Sequence, residues 1–176
     1  MTLHFYCRRG QSGSEIAAGL EPGMDFRVWA PAQGIPPRGS RTFPNMVWWA
    51  FVRAGLFARR DLIELSIWRA GEMLHRLTVS PRWYRFPFMA AQDLQLGALW
   101  TRPDKRGQGL ARAAIAEAHR LYAGRTPCFW YVADARNRAS IRLIESCGYR
   151  LAGIGHRTRP FHIRLFGQFV LDPPPR

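Results

Sequence analysis

The chain has 176 residues, 47% of them apolar, which is enough for a compact domain with its own core and excludes disorder throughout. Its net charge is +14, and of its 26 basic residues only Lys105 is lysine. Arginine suits planar, bidentate contacts with phosphate, so the balance points to a solvated basic surface or an anionic partner: a phosphorylated cofactor, a nucleotide-linked substrate, nucleic acid or an acidic membrane face.

Cys7, Cys128 and Cys147 are an odd set without paired spacing, which fits a reducing compartment and gives no disulfide or zinc framework. Residues 1–10 contain no long apolar run, so no signal peptide is expected. The most membrane-like stretch, Phe43 to Ala58, is short and interrupted by Arg53, so no bilayer span is expected and the location is read as cytoplasmic.

Leu3–Arg8 and Phe26–Ala30 read as short strands around a Gly-rich turn. Pro31–Ser40, rich in Pro and Gly, reads as a loop. Thr42–Phe57 reads as a helix with Thr42 as its N-cap and Gly55 near its end. Leu62–Trp68 and Met73–Val79 flank Arg69-Ala70-Gly71-Glu72, a hairpin signal. Pro81–Met89 is aromatic and basic, an irregular loop braced by proline. Leu94–Trp100 is a strand. Gly107–Tyr122 is a helix with Ala111, Ile115, Ala118 and Tyr122 on one stripe. Phe129–Ala133 is a buried strand, and Asn137–Cys147 a helix capped by Asn137 and stopped by Gly148. Tyr149–Ile154 and Ile163–Leu171 are closing strands. This order argues for a mixed sheet with helices packed on it.

Arg106-Gly107-Gln108-Gly109-Leu110-Ala111 lies between a strand and a helix. A helix start leaves backbone N–H groups without intrahelical partners, and its dipole favours negative charge. Gly107 and Gly109 remove side chains where a phosphate must approach, and Arg106 adds a cation. The Gly-Lys-Ser/Thr ending of a Walker loop is missing.

The segment from Arg106 to Ala111 resembles the Gln/Arg-x-x-Gly-x-Gly/Ala motif of the GCN5-related N-acetyltransferase (GNAT) superfamily. Leu99–Lys105 looks like that family's strand end and approach to the loop. Asn137-Arg138-Ala139-Ser140-Ile141 and Glu145-Ser146-Cys147-Gly148-Tyr149 resemble its downstream helix segment. The resemblance covers residues 60–155; residues 1–60 diverge. It implies a single domain over residues 1–176 with an α/β (α+β) fold: a mixed, mostly antiparallel central sheet flanked by helices. It implies acetyl-CoA or another acyl-CoA as co-substrate, and no metal. The backbone of Leu99, Trp100 and Thr101 would pair with the pantetheine arm. Arg106, Gly107, Gln108, Gly109, Leu110 and Ala111 would hold the pyrophosphate. Asn137 would reach the pantetheine near the thiol, besides capping its helix.

Acyl transfer from a thioester to an amine needs an unprotonated amine, alignment, a donor for the developing oxyanion and a proton for the leaving thiolate. The backbone N–H of Leu99 or Trp100 is the expected donor. The position where the family places a tyrosine acid is Ile144, which carries no proton. Tyr131 and Tyr122 are candidate replacements. For the base the candidates are Asp93, entering the strand that ends at the thioester, His75, whose type titrates in the right range, and Glu64 as a weaker option. Cys147 as a covalent nucleophile is set against its reading as a small buried hydrophobe.

The expected function is direct transfer of an acyl group to a small primary amine, an anionic one, with an amino sugar or nucleotide-linked amino sugar first. The alternatives are a membrane-surface acyltransferase acting on a lipid-linked amine, and a non-catalytic basic module that binds nucleic acid, the less favoured partner. A homodimer is left open.

Overall fold

The computed structural model describes residues 2–10, 19–35, 43–55, 61–158 and 167–172. Eight strands form a sheet: β1 (Leu3–Arg9), β2 (Met24–Trp29), β3 (Ile63–Arg69), β4 (Glu72–Pro81), β5 (Leu94–Thr101), β6 (Cys128–Asp134), β7 (Arg150–Arg157) and β8 (Phe169–Leu171). Helix α1 spans Phe43–Arg53, α2 Leu110–Leu121 and α3 Arg138–Ser146. The strand order is β2-β3-β4-β5-β6-β1-β7-β8. Every neighbouring pair runs antiparallel except β5 and β6, which are parallel.

Period-two alternation sorts each strand's side chains between two cores. Ile63, Leu65 and Ile67 of β3, Leu77 and Val79 of β4, and Leu94 and Leu96 of β5 join Ala114, Ile115 and Ala118 of α2 in one cluster. The opposite face carries an aromatic cluster of Trp83, Phe86 and Met89, against which Phe51, Phe88, Trp130 and Phe169 pack. Phe86 stacks on Phe169 with centroids 5.2 Å apart. The aromatic and basic loop of residues 82–89 is therefore the cover of the second core, with Tyr84 left exposed.

The hairpin reading of residues 69–72 holds: Arg69 pairs with Glu72, and Ala70 and Gly71 both take positive φ, the geometry of a type I′ turn. A helix start and the placement of the first strands differ from expectation. Helix α2 starts at Leu110 rather than Gly107, because Gly107 and Gly109, both at φ 78, turn the chain left-handed before it can coil. The first strands do not lie together: β2 is an edge, whereas β1 sits between β6 and β7. Of the expected strand 163–171 only Phe169–Leu171 lies within the described residues as a strand. The N-cap reading of Thr42 lies outside the described residues. Among the described residues no helix is long and apolar enough to cross a membrane.

A buried polar network fixes β1 in its interior position. Arg8 Nη1 donates to His119 Nδ1 at 2.6 Å and to the carbonyl of Cys147 at 3.1 Å, at the C-terminal end of α3. A guanidinium only donates, so Nδ1 is the acceptor and the ring proton sits on Nε2. That proton is then directed to the Tyr149 hydroxyl, 2.8 Å away. Burial, reinforced by the Arg8 charge, pulls His119 down to about 3. Burial also pulls His75 of β4 down to about 4.

Both imidazoles are neutral when folded and regain an ordinary affinity for protons when unfolded. The unfolded state therefore binds more protons below about pH 6.5, and stability falls as pH drops through that range. Urea unfolding at pH 7.5 and pH 5.0 tests this. The loss should be smaller in His119→Gln than in the wild type by about 2 kcal/mol. Equal losses would contradict the buried neutral histidine.

Candidate functional site

The β5–β6 ladder is short. Leu94, Gln95 and Leu96 pair with Phe129, Trp130 and Tyr131, and beyond them the strands separate. On the other side of β5 the register slips. Thr78 pairs with Gly97 and Arg76 with Trp100, so Ala98 and Leu99 together oppose Leu77. This is a β-bulge, and Ala98 adopts φ 50 to make it. After it, Leu99 packs towards the helical core, and the Arg76 guanidinium lies 5.7 Å from the Trp100 ring centroid.

A cavity of about 900 Å³ opens where the strands part, a volume typical of ligand sites. Its walls are Leu99, Trp100 and Thr101 of β5, the turn from Lys105 to Gly109, the first turn of α2 and the exposed side of α3 from Asn137 to Ser146. The turn is held by Arg102, whose Nε donates to Asp104 at 2.8 Å and whose Nη1 meets Glu72. An added Cβ at Gly107 or Gly109 would meet nothing within 4 Å, so both face open space. Ala113 N–H donates to Gly109 C=O at 3.0 Å as α2 begins. The amides of Leu110, Ala111 and Arg112 precede that bond and have no intrahelical acceptor. Lys105, Arg106, Arg112 and Arg142 contribute cations to the lining, and no Asp or Glu lies among the described residues that form it. The Asn137 side chain accepts the Ser140 N–H at 3.1 Å, capping α3 at the cavity's edge.

The cavity brings together Leu99, Trp100, Thr101, Arg106, Gly107, Gly109, Leu110, Ala111 and Asn137. Gln108 lies on the same turn with its amide directed back to the Asp104 carbonyl at 3.4 Å. The acid–base candidates are scattered. Asp93 stands at the entry of β5, about 20 Å of strand from Leu99. Its buried carboxylate accepts the Trp130 indole N–H at 2.8 Å and the Ala90 N–H at 2.9 Å, the contacts of a structural group. His75 is fully buried, and its Nδ1 is 2.8 Å from the hydroxyl of Thr101, which lines the cavity. Tyr131 is buried beneath the site, where desolvation raises its phenol and a hydrogen bond with Ser140 opposes the rise. Ile144 is core, Tyr122 bonds the Asp61 carbonyl, and burial raises the Cys147 thiol.

Sequence reasoning missed Lys105, Arg112, Ser140, Arg142 and Ser146. The helical spacing of residues 139, 142, 143 and 146, which puts them on one side of α3, was the available signal. It also missed a second cavity, of about 160 Å³, on the opposite face of the sheet. Thr78, Ser80, Gln95, Gly97 and Ala98 form its floor, and Trp83, Arg85, Phe86 and Phe169 its sides. Ser80 donates to Gln95 Oε1 at 3.1 Å, folding the amide over Gly97, where a Cβ would lie 2.7 Å from it. Glu64, also buried, pairs with Thr78 across β3 and β4.

Residues 39–149 match the acetyltransferase (GNAT) family. Solved structures share the fold. A Drosophila protein is 18% identical with a TM-score of 0.60, over 87% of this chain and 48% of its own. A GCN5-related N-acetyltransferase from Sphaerobacter thermophilus is 16% identical with a TM-score of 0.60, over 87% and 49%. A protein from Novosphingobium aromaticivorans assigned to the GNAT family is 21% identical with a TM-score of 0.54, over 87% and 60%. The chain thus spans about half to three fifths of these structures' lengths. No protein of curated function matches it by sequence.

The bulge makes a checkable demand. A left-handed alanine is strained by about 1–2 kcal/mol. Ala98→Gly should leave stability unchanged or raise it by about 1 kcal/mol, whereas Ala98→Val should cost about 2 kcal/mol or more, measured by urea denaturation.

Proposed function

The chain belongs to the acetyltransferase (GNAT) family, and from that premise we propose that it transfers an acyl group from acyl-coenzyme A to a primary amine by direct attack. The observation that carries this reading is the large cavity. It joins a cationic lining with no Asp or Glu among the described residues, left-handed glycines with open space above them and helix-start amides without an intrahelical acceptor. These are the donors and charges a diphosphate requires. The residues fit the co-substrate: Arg106 to Ala111 would hold the pyrophosphate, and the backbone of Leu99 to Thr101 would face the pantetheine arm. Bound acyl-coenzyme A supplies an electrophilic thioester carbonyl. The break in the β4–β5 ladder beside Leu99 supports its N–H as the donor to the oxyanion.

In the reaction the amine sheds the proton of its ammonium form to water, its lone pair makes the new N–C bond as the C–S bond breaks, and the nitrogen then gives up a second proton to become the amide. The electron pair of the C–S bond leaves with sulfur, and a proton is returned there. Ile144 supplies none. We assign the delivery to Ser140, which lines the cavity, with Tyr131 behind it. The phenol, raised by burial, is protonated at neutral pH and can replace the proton that Ser140 gives up. His75, at about 4, is too weak a base for an alkylammonium of pKa about 10.4. An amino sugar as acceptor rests on the basic balance of the chain. Stacking of a nucleobase gains no support, because Trp83 and Phe86 are buried in the second core.

Calorimetry with acetyl-coenzyme A should show binding to the wild type and none to Gly109→Val with its far-ultraviolet spectrum retained; unchanged affinity in that variant would refute the loop's role. Tyr131→Phe should lower turnover about tenfold while leaving cofactor affinity unchanged. An unchanged pH–rate profile and turnover would remove the Ser140–Tyr131 pair from the reaction.

A further inference from the structure

His75 and Thr101 stand directly opposite each other across β4 and β5, so their side chains share one face of the sheet. On β4 this is the face of Leu77 and Val79, and on β5 the face of Leu99, all of which belong to the helical core or pack against it. Thr101 is half-buried and lines the large cavity. His75 lies fully buried behind it, with Nδ1 2.8 Å from the Thr101 hydroxyl oxygen. The other ring nitrogen, Nε2, has no hydrogen-bond partner among the described residues.

These contacts fix where the protons sit. Burial disfavours the charged ring, so His75 carries a single ring proton. A neutral imidazole has one N–H and one bare nitrogen. A proton on Nε2 would be a buried donor without an acceptor, a costly arrangement that folded proteins rarely keep. The proton therefore sits on Nδ1 and is donated to the Thr101 oxygen. A hydroxyl that accepts at its oxygen still has its own proton to give. Among the described residues the Thr101 hydroxyl bonds only His75, so its O–H is left for whatever occupies the cavity.

We propose that the Thr101 side chain donates a hydrogen bond to an amide carbonyl of the pantetheine arm, and that His75 is the positioning residue that fixes the direction of this donor. The role rests on the acyl-coenzyme A reading above and adds a side-chain contact to the backbone of β5. Thr101 lies about 7 Å along the strand from Leu99, which on that reading faces the thioester. It precedes the turn from Lys105 to Gly109, which on the same reading faces the diphosphate. The part of the ligand between those two ends is the arm, and its acceptors are amide carbonyls.

Long-range proton–nitrogen NMR of the full chain with labelled histidine reads the tautomer at neutral pH, and the His75 signals are identified by their loss in His75→Asn. A protonated Nδ1 with a bare Nε2 is expected; a protonated Nε2 would overturn the proposal. Calorimetry and initial rates with acetyl-coenzyme A test the donor. Thr101→Val, which exchanges the hydroxyl for a methyl, should weaken binding about tenfold and raise KM in proportion with kcat kept. Thr101→Ser should restore the affinity. Adenosine 3′,5′-bisphosphate, which has phosphates and no pantetheine arm, should bind the wild type and Thr101→Val alike; an equal loss for both ligands would place the donor on the phosphates and defeat the assignment. His75→Leu should lower acetyl-coenzyme A affinity about threefold, and should cost nothing more once Thr101 is valine. His75→Asn, whose amide can donate from the same place, should keep the affinity and serves if the leucine variant does not fold. Full affinity in Thr101→Val, or a loss in His75→Leu that persists beside Thr101→Val, would contradict the proposal. Failure of the wild type to bind acetyl-coenzyme A would instead overturn the acyl-transfer reading, and the role of Thr101 with it, leaving only the histidine tautomer standing.

Discussion

Parallel strands that stop hydrogen-bonding inside a folded chain leave amides and carbonyls that need other partners. After three residue pairs β5 leaves β6, and this break organises everything around it. Past the break, the end of β5, the start of α2 and the side of α3 wall a cavity of about 900 Å³. Helix α2 begins just past the end of β5, and its open amides face the same gap. The bulge at Ala98 then lets one strand serve both sides, with Leu99 turned to the helices and Ala98 to the aromatic layer. A site of this kind is a property of backbone pairing, and side chains only refine it.

The break is tolerated because the sheet is braced beside it. On the far flank of β6, β1 pairs along the full length from Leu3–Asp134 to Arg9–Cys128. Arg8, His119, Tyr149 and the Cys147 carbonyl tie that strand to α2 and to the end of α3, the two helices that wall the large cavity. Buried polar networks of this sort are costly when incomplete and rigid when satisfied. Here the donor-only arginine sets the histidine tautomer, which in turn orients the tyrosine.

Much of this was legible in the sequence. The strand–loop–helix around Arg106 to Ala111, the cap at Asn137 and the stop at Gly148 are local signals, written in residues whose backbone preferences are strong. The hairpin at Ala70-Gly71 was equally local. The placement of β1 was not readable, because Leu3–Arg9 pairs with strands more than a hundred residues away and nothing in its alternation names them. The α2 start was misjudged because glycine is compatible with a helix start and with a left-handed turn alike. Asp93 was read at the entry of the strand whose far end meets the loop, and it stands there; its bond from the Trp130 indole, 37 residues away in sequence, was not readable. The small cavity needed three-dimensional adjacency: Thr78 and Ser80 come from one strand, Gln95 and Gly97 from another, and Phe169 from a third.

The interior position of β1 also bears on how the chain is made. Its partners are residues 128–134 and 150–157, so β1 has no ladder to join until those later segments have been synthesised. During that interval Phe5 and Tyr6, both buried in the finished protein, are exposed to other nascent chains and to chaperones. Closure over such sequence distances is slow, and it comes late. Loss of β1 would therefore leave β6 and β7 without their shared neighbour and split the sheet between them.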